Sequence, residues 1–207
     1  IVVPEKDVVI VLTEASFTNG KPQRGLIWNK FLPALSDEPL PASEDYALLQ
    51  KKQASYQLEL PAGKASSSVI KKVERKKFSI AKNRYNWSEV SFSKGESGLM
   101  MTITKTDGTS YTQPLGYKSW CTEAIDGLPP YSINPIDWHV GLEGPFYASG
   151  AYGWEKSSLN VNLHYVNWVS SLYMTWDFSK ISKGVVTLTV SNNYLKNKVE
   201  TFDCTIE

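Results

Sequence analysis

The sequence predicts a mainly β protein, an antiparallel meander that forms a β-barrel or closed sandwich, with an N-terminal strand-helix appendage and a linker helix ahead of it. Three observations carry this prediction. Leu159, Val161, Leu163 and Tyr165 alternate with Asn160, Asn162 and His164, and Leu172, Met174, Trp176 and Phe178 repeat the period of two. Strands with one wet face belong to antiparallel sheets, so Gly144 to Phe178 reads as three adjacent strands. Turn signals fall between strand-like runs, at Gly95 to Gly98, at Asp107-Gly108 and at Glu155-Lys156-Ser157. Finally, everything from Val69 onward reads as strands and turns, about eight or nine strands in all, enough to curl closed or to form two packed sheets.

In chain order, residues 1–35 come first and read differently from the rest. Val8-Val9-Ile10-Val11-Leu12 is a continuous apolar run, the pattern of a strand covered on both faces. Gly25 to Leu32, after Pro22, has apolar residues at helical spacing. One strand and one helix bury no core alone, so this piece either docks on the later sheet or ends a domain lying mostly upstream. Residues 36–68 form a linker punctuated by Pro39 and Pro41, with a helix over about 44–56. Ser43 is its N-cap, with Glu44 and Asp45 in the first turn. Residues 69–207 are the β-domain. Its remaining strands are expected at Phe78–Ala81, Glu89–Ser93, Leu99–Lys105, Thr109–Gln113, Val185–Ser191 and Val199–Ile206, with a long proline-marked excursion over 122–145.

Composition argues against several classes. Lys and Arg number 22 against 21 Asp and Glu, so the net charge of +1 gives no reason to expect nucleic acid or an anionic membrane surface as partner. No apolar run reaches the roughly 20 residues of a membrane span. The chain starts at Ile1, which points to a processed protein or an excised fragment. Cys121 and Cys204 permit one disulfide without requiring it; Cys204 shares strand parity with Phe202 and Ile206, which favours a buried free thiol.

The order of local sequences also carries a resemblance. Val3 to Thr13, followed by Trp28 and Phe31-Leu32-Pro33-Ala34-Leu35, resembles the closing strand and helix of the catalytic domain in serine hydrolases of the β-lactamase and penicillin-binding-protein-like family. The remainder is similar to a C-terminal extension of one bacterial branch of that family, on Asp37-Glu38-Pro39-Leu40-Pro41, Val90-Ser91-Phe92, Leu99 to Thr104 with Asp107-Gly108, Gly116 to Trp120, Ala148-Ser149-Gly150-Ala151 and Tyr165-Val166. The resemblance implies a lipocalin-like barrel, non-catalytic in itself, that caps, orients or stabilises a parent catalytic domain in cis, in a periplasmic or secreted bacterial protein. Tyr152 stands where the family usually has Trp. Asn167-Trp168-Val169 replaces an acidic residue followed by Thr-Pro.

That family's chemistry needs a Ser-x-x-Lys pair on one helical turn, a Tyr-x-Asn and a Lys/His-x-Gly around one cleft. Ser68 to Lys71, Ser91 to Lys94, Tyr165 to Asn167 and His139 to Gly141 match as strings only. Ser91 to Lys94 lies at a strand end, where positions i and i+3 point to opposite faces, and Ser68 to Lys71 enters an expected strand. His139 also precedes Tyr165, the reverse of the family's order. With His139 and His164 the only histidines, a zinc site has little support. No catalytic residue, metal site or cofactor is therefore assigned.

Aromatic side chains are the one surplus, with Trp120, Trp138, Tyr147, Tyr152, Trp154, Tyr165, Trp168 and Tyr173 crowding the second half. They read either as core and barrel-end plugs or as faces for a ligand. The ligand-binding candidates are Tyr152, Trp154, His164 and Trp168. The function expected is that of the accessory domain, the alternative a stand-alone barrel binding a small apolar or glycan ligand. Apolar faces left bare in residues 1–35 would also favour self-association.

Overall fold

The computed structural model describes residues 1–13, 20–96, 98–130, 143–192 and 199–207. They fall into two units, Ile1–Glu59 and Leu60–Glu207.

In the first unit β1 (Val2–Val3) pairs antiparallel with β2 (Val8–Val9) across a turn in which Asp7 takes a left-handed φ of 49°. The Ile1 ammonium donates to the Ile10 carbonyl at 2.8 Å, and Lys6 pairs with Asp37 at 2.7 Å. The expected long strand is thus only two residues, and its run is not covered on both faces: Val9 is 70% exposed and Val11 77%. A continuous apolar run becomes a central strand only between flanking strands, and β1 is a short partner on one side. α1 (Lys21–Leu26) continues through a π turn at Ile27–Phe31 and a 3-10 turn at Leu32–Ala34, as the helical spacing predicts. Of this helical stretch only Ile27 is buried. α2 (Glu44–Ser55) begins where expected: the Ser43 hydroxyl accepts the Asp45 N–H at 3.1 Å, and two carboxylates sit at the positive end of the helix dipole.

The second unit opens with an irregular stretch and one helical turn, α3 (Ile70–Val73). Among the described residues ten strands follow: β3 (Lys77–Ile80), β4 (Trp87–Gly95), β5 (Gly98–Lys105), β6 (Ser110–Tyr117), β7 (Cys121–Ile125), β8 (Phe146–Glu155), β9 (Ser158–Tyr165), β10 (Ser171–Asp177), β11 (Val185–Asn192) and β12 (Glu200–Ile206). Nine of them close a barrel in the order β6-β5-β4-β3-β12-β11-β10-β9-β8. Every pairing is antiparallel except the closure, where Leu115 to Tyr117 of β6 run parallel to Gly150 to Tyr152 of β8. The direction follows from the chain. One strand, β7, separates β6 from β8, so the two point the same way. β7 itself continues along the same edge of β8, from Cys121 opposite Gly150 to Ile125 opposite Phe146. The excursion expected over 122–145 therefore begins with a strand. The Gln113 amide ties this junction by donating to the carbonyls of Pro114 at 2.9 Å and Cys121 at 3.1 Å.

The alternation read from the sequence is the barrel's inside and outside. Leu159, Val161, Leu163, Leu172, Met174, Trp176, Val186, Leu188 and Val190 all point into the core. One end is closed by aromatic packing and by the entering chain. Phe92 meets Trp176 edge-on at 5.3 Å, Phe78 lies 5.4 Å from Phe178, and Trp154 5.8 Å from Phe178. Residues 60–76 cross beneath them: Lys64 and Trp154 exchange backbone hydrogen bonds of 2.8 and 2.9 Å, and Arg75 donates to Phe92. Both cysteines are free thiols, and burial pushes that of Cys204 up to about 11.

Candidate ligand-binding site

The four aromatic and histidine candidates do not converge. Tyr152 and Trp154 share inward parity near the end of β8 and are 3% and 1% exposed. The Tyr152 hydroxyl donates to the Ala65 carbonyl at 3.0 Å, so both rings belong to the closed end of the barrel. His164 faces outward on β9, its Nδ1 2.8 Å from the Ser171 hydroxyl, between the edge-on rings of Trp120 at 4.9 Å and Tyr173 at 5.8 Å. Burial holds this imidazole below its ordinary pKa. Trp168, in the turn between β9 and β10, is the candidate that reaches a cleft.

That cleft lies at the opposite end of the barrel and encloses about 580 Å³. Among the described residues four connections build it. The β3–β4 loop supplies Arg84, Tyr85 and Asn86, and the β5–β6 turn Lys105 to Asp107 and Thr109. The chain leaving β7 supplies Asp126 to Pro130, and the β9–β10 turn Trp168. Tyr85 and Trp87 form its floor, their rings 5.2 Å apart and 33° from parallel. Tyr85 donates to Glu200 Oε2 at 2.9 Å, and burial with that carboxylate raises its pKa. The β5–β6 turn is fixed by Asp107, whose Oδ1 accepts from the Thr109 N–H at 2.9 Å and hydroxyl at 2.6 Å, bonds that lower its carboxyl pKa. Below the floor the interior is filled. Tyr111 and Tyr165 are buried there, and burial pushes the Tyr111 phenol up to about 12 and that of Tyr165 well above its ordinary value.

Sequence reasoning found Trp168 and missed Arg84, Tyr85, Lys105 and the stretch Asp126 to Pro130. They sit in or beside three connections, with Trp168 in a fourth, and no spacing along a chain relates loops that only barrel closure brings together.

Three of the four string matches to hydrolase motifs lie within the described residues. Ser68 to Lys71 leads into α3 and not into a strand, which corrects the expectation; both side chains are exposed. Ser91 and Lys94 lie on β4 as expected. Tyr165 points into the core. The Asn167 amide is spent on the start of β8, accepting from the Tyr147 N–H at 3.0 Å and donating to the Pro145 carbonyl at 2.8 Å. Trp138 and His139 to Gly141 lie outside the described residues. No family model matches the chain, and no curated protein matches it.

Proposed function

We propose that Leu60–Glu207 is a non-catalytic accessory barrel of a β-lactamase-like serine hydrolase, and that residues 1–35 are the last strand and helix of the catalytic domain it serves. One observation carries this reading. The barrel encloses its own core, whereas the first unit leaves Val9, Val11, Leu26, Trp28 and Phe31 between 49% and 77% exposed. An apolar groove of about 480 Å³ runs between Ile10, Leu12, Leu26, Ile27 and Phe31. Contiguous bare apolar surface of this kind marks a missing cover, and a strand and helix from the edge of a larger domain would have one. The test is the coding sequence upstream of Ile1. A segment of roughly 300 residues with a helical Ser-x-x-Lys and a downstream Tyr-x-Asn supports the reading; a start codon directly before Ile1 overturns it.

The cleft favours a second reading, a barrel that binds a small ligand at its mouth. Its volume lies in the range of small-molecule sites, roughly 300–1,000 Å³. Its walls combine Trp168, Leu128 and Pro129 with Arg84, Lys105 and Asp126. A lipocalin-type calyx inside the barrel is not available to a ligand, because Met101, Ile103, Leu115 and Leu163 pack the interior with no exposed surface. Tryptophan fluorescence titrated with a panel of glycans, fatty acids and small organic acids tests this reading. A saturable change that Trp168→Ala removes supports it, and no response across the panel counts against it.

A further inference from the structure

We propose that the mouth cleft takes a small ring-bearing carboxylate, its anion held by the Lys105 ammonium and its ring laid against Trp168 and Leu128. The inference rests on the binding reading of the mouth and is independent of the hydrolase reading. It starts from Lys105, the last residue of β5. Its side chain is half-buried, and its Nζ lies 5.6 Å from the centroid of the Tyr111 ring. Among the described residues the ion pairs are Lys6–Asp37 and Lys77–Glu89, so Lys105 has no carboxylate within pairing distance. Its electrostatic neighbour is the Asp107 carboxyl, too far for an ion pair, so a bound carboxylate would supply the direct contact that this half-buried ammonium lacks.

The surrounding residues keep that ammonium reachable. Gly127 stands beside it with φ +74°, and a Cβ at that position would lie 3.3 Å from Nζ, so a side chain there would crowd the charge. Asp107 is the nearest acidic candidate in sequence, yet its Oδ1 is turned to the Thr109 donors of its own turn. Arg84 adds a second cation to the wall. The Trp168 ring is held edge-on to Phe146 at 5.3 Å, which gives a ligand ring a fixed surface to lie on. Tyr85 and Trp87 stop the ligand at the mouth. Asp126, exposed on the same wall, opposes an anion and thereby gives the charge of the ligand a measurable signature.

The experiment uses the 15N-labelled full chain and four probes: glucuronate and benzoate, and their neutral counterparts glucuronamide and benzamide. Amide shifts are followed at Lys105, Gly127 and Trp168. The expected result is saturable shifts at these positions, with each carboxylate bound at least about tenfold more tightly than its amide. Lys105→Met should abolish that preference and Lys105→Arg keep it, while Asp126→Asn should tighten carboxylate binding about twofold or more. Amides binding as tightly as carboxylates would overturn the anion and leave the binding reading standing. Carboxylate binding weakened by Asp126→Asn would overturn it as well. Shifts that map away from the cleft, or no saturation by any of the four at tens of millimolar, would end both.

Discussion

At the scale of single residues, the interior phenols make the protein's stability sensitive to alkali. The unfolded Tyr111 phenol ionises near its ordinary 10.0, whereas in the folded barrel burial keeps it protonated to about 12. Its contribution is therefore intact below pH 10.0 and is lost as pH climbs towards about 12, because only the unfolded state gains by ionising. At about 1.4 kcal/mol per pKa unit the loss is on the order of 2–3 kcal/mol, and Tyr111→Phe should remove that part of the slope. Denaturant unfolding across this pH window checks it; a slope unchanged in Tyr111→Phe would show that the phenol is not the titrating group. The aromatic closed end makes a second prediction. Phe178 is fully buried and touches Phe78, Phe92, Trp154 and Trp176. Phe178→Ala should cost about 3–5 kcal/mol in the same assay, the range for a large side chain removed from a core that cannot collapse around the void.

At the scale of elements, the closed end depends on how near the entering chain lies to β8. Gly153 has the Ala62 carbonyl carbon 2.8 Å and the Pro61 oxygen 3.0 Å from where a Cβ would stand. Gly153→Ala must push residues 60–65 off the strand and break the paired backbone bonds between Lys64 and Trp154. The expected outcome is a red-shifted tryptophan emission and a loss of about 1–3 kcal/mol, as for other overpacked sites. An unshifted emission with full stability would mean that the crossing chain does not seal this end. The same element explains why Ser68 and Lys71 entered a helical turn. Residues 60–76 are tied to two different strands, at Trp154 and at Phe92, and the chain between those ties has to bend rather than extend.

At the scale of the whole molecule, the two units differ in how fully each buries its own apolar residues. Among the described residues the barrel's buried side chains form one cluster that includes Val73 and Cys204, whereas Ile1–Glu59 buries only Ile27 of its large apolar side chains. A chain beginning at Leu60 should fold alone, with a cooperative thermal transition within a few degrees of the full chain's. Calorimetry of both chains decides; loss of the transition on removing 1–59 would mean that the barrel needs the first unit.

The sequence by itself determined the nine strands of the barrel, their inward faces and both helical stretches outside it, but not β7. Each follows from a local rule: alternation at Leu159 to Tyr165, helical spacing at Gly25 to Leu32, and an N-cap at Ser43. Only the tertiary structure decided that the closure between β6 and β8 is parallel, that Val8 to Leu12 pairs over two residues, and that Tyr152 and Trp154 are packed while Trp168 lines a cleft. Parity places a ring inside or outside a strand, but whether inside means a filled end or an open mouth depends on which loops and which entering chain lie across it. Arg84, Lys105, Asp126 and Trp168 sit in four separate connections, and closing the ring of strands is what makes them neighbours.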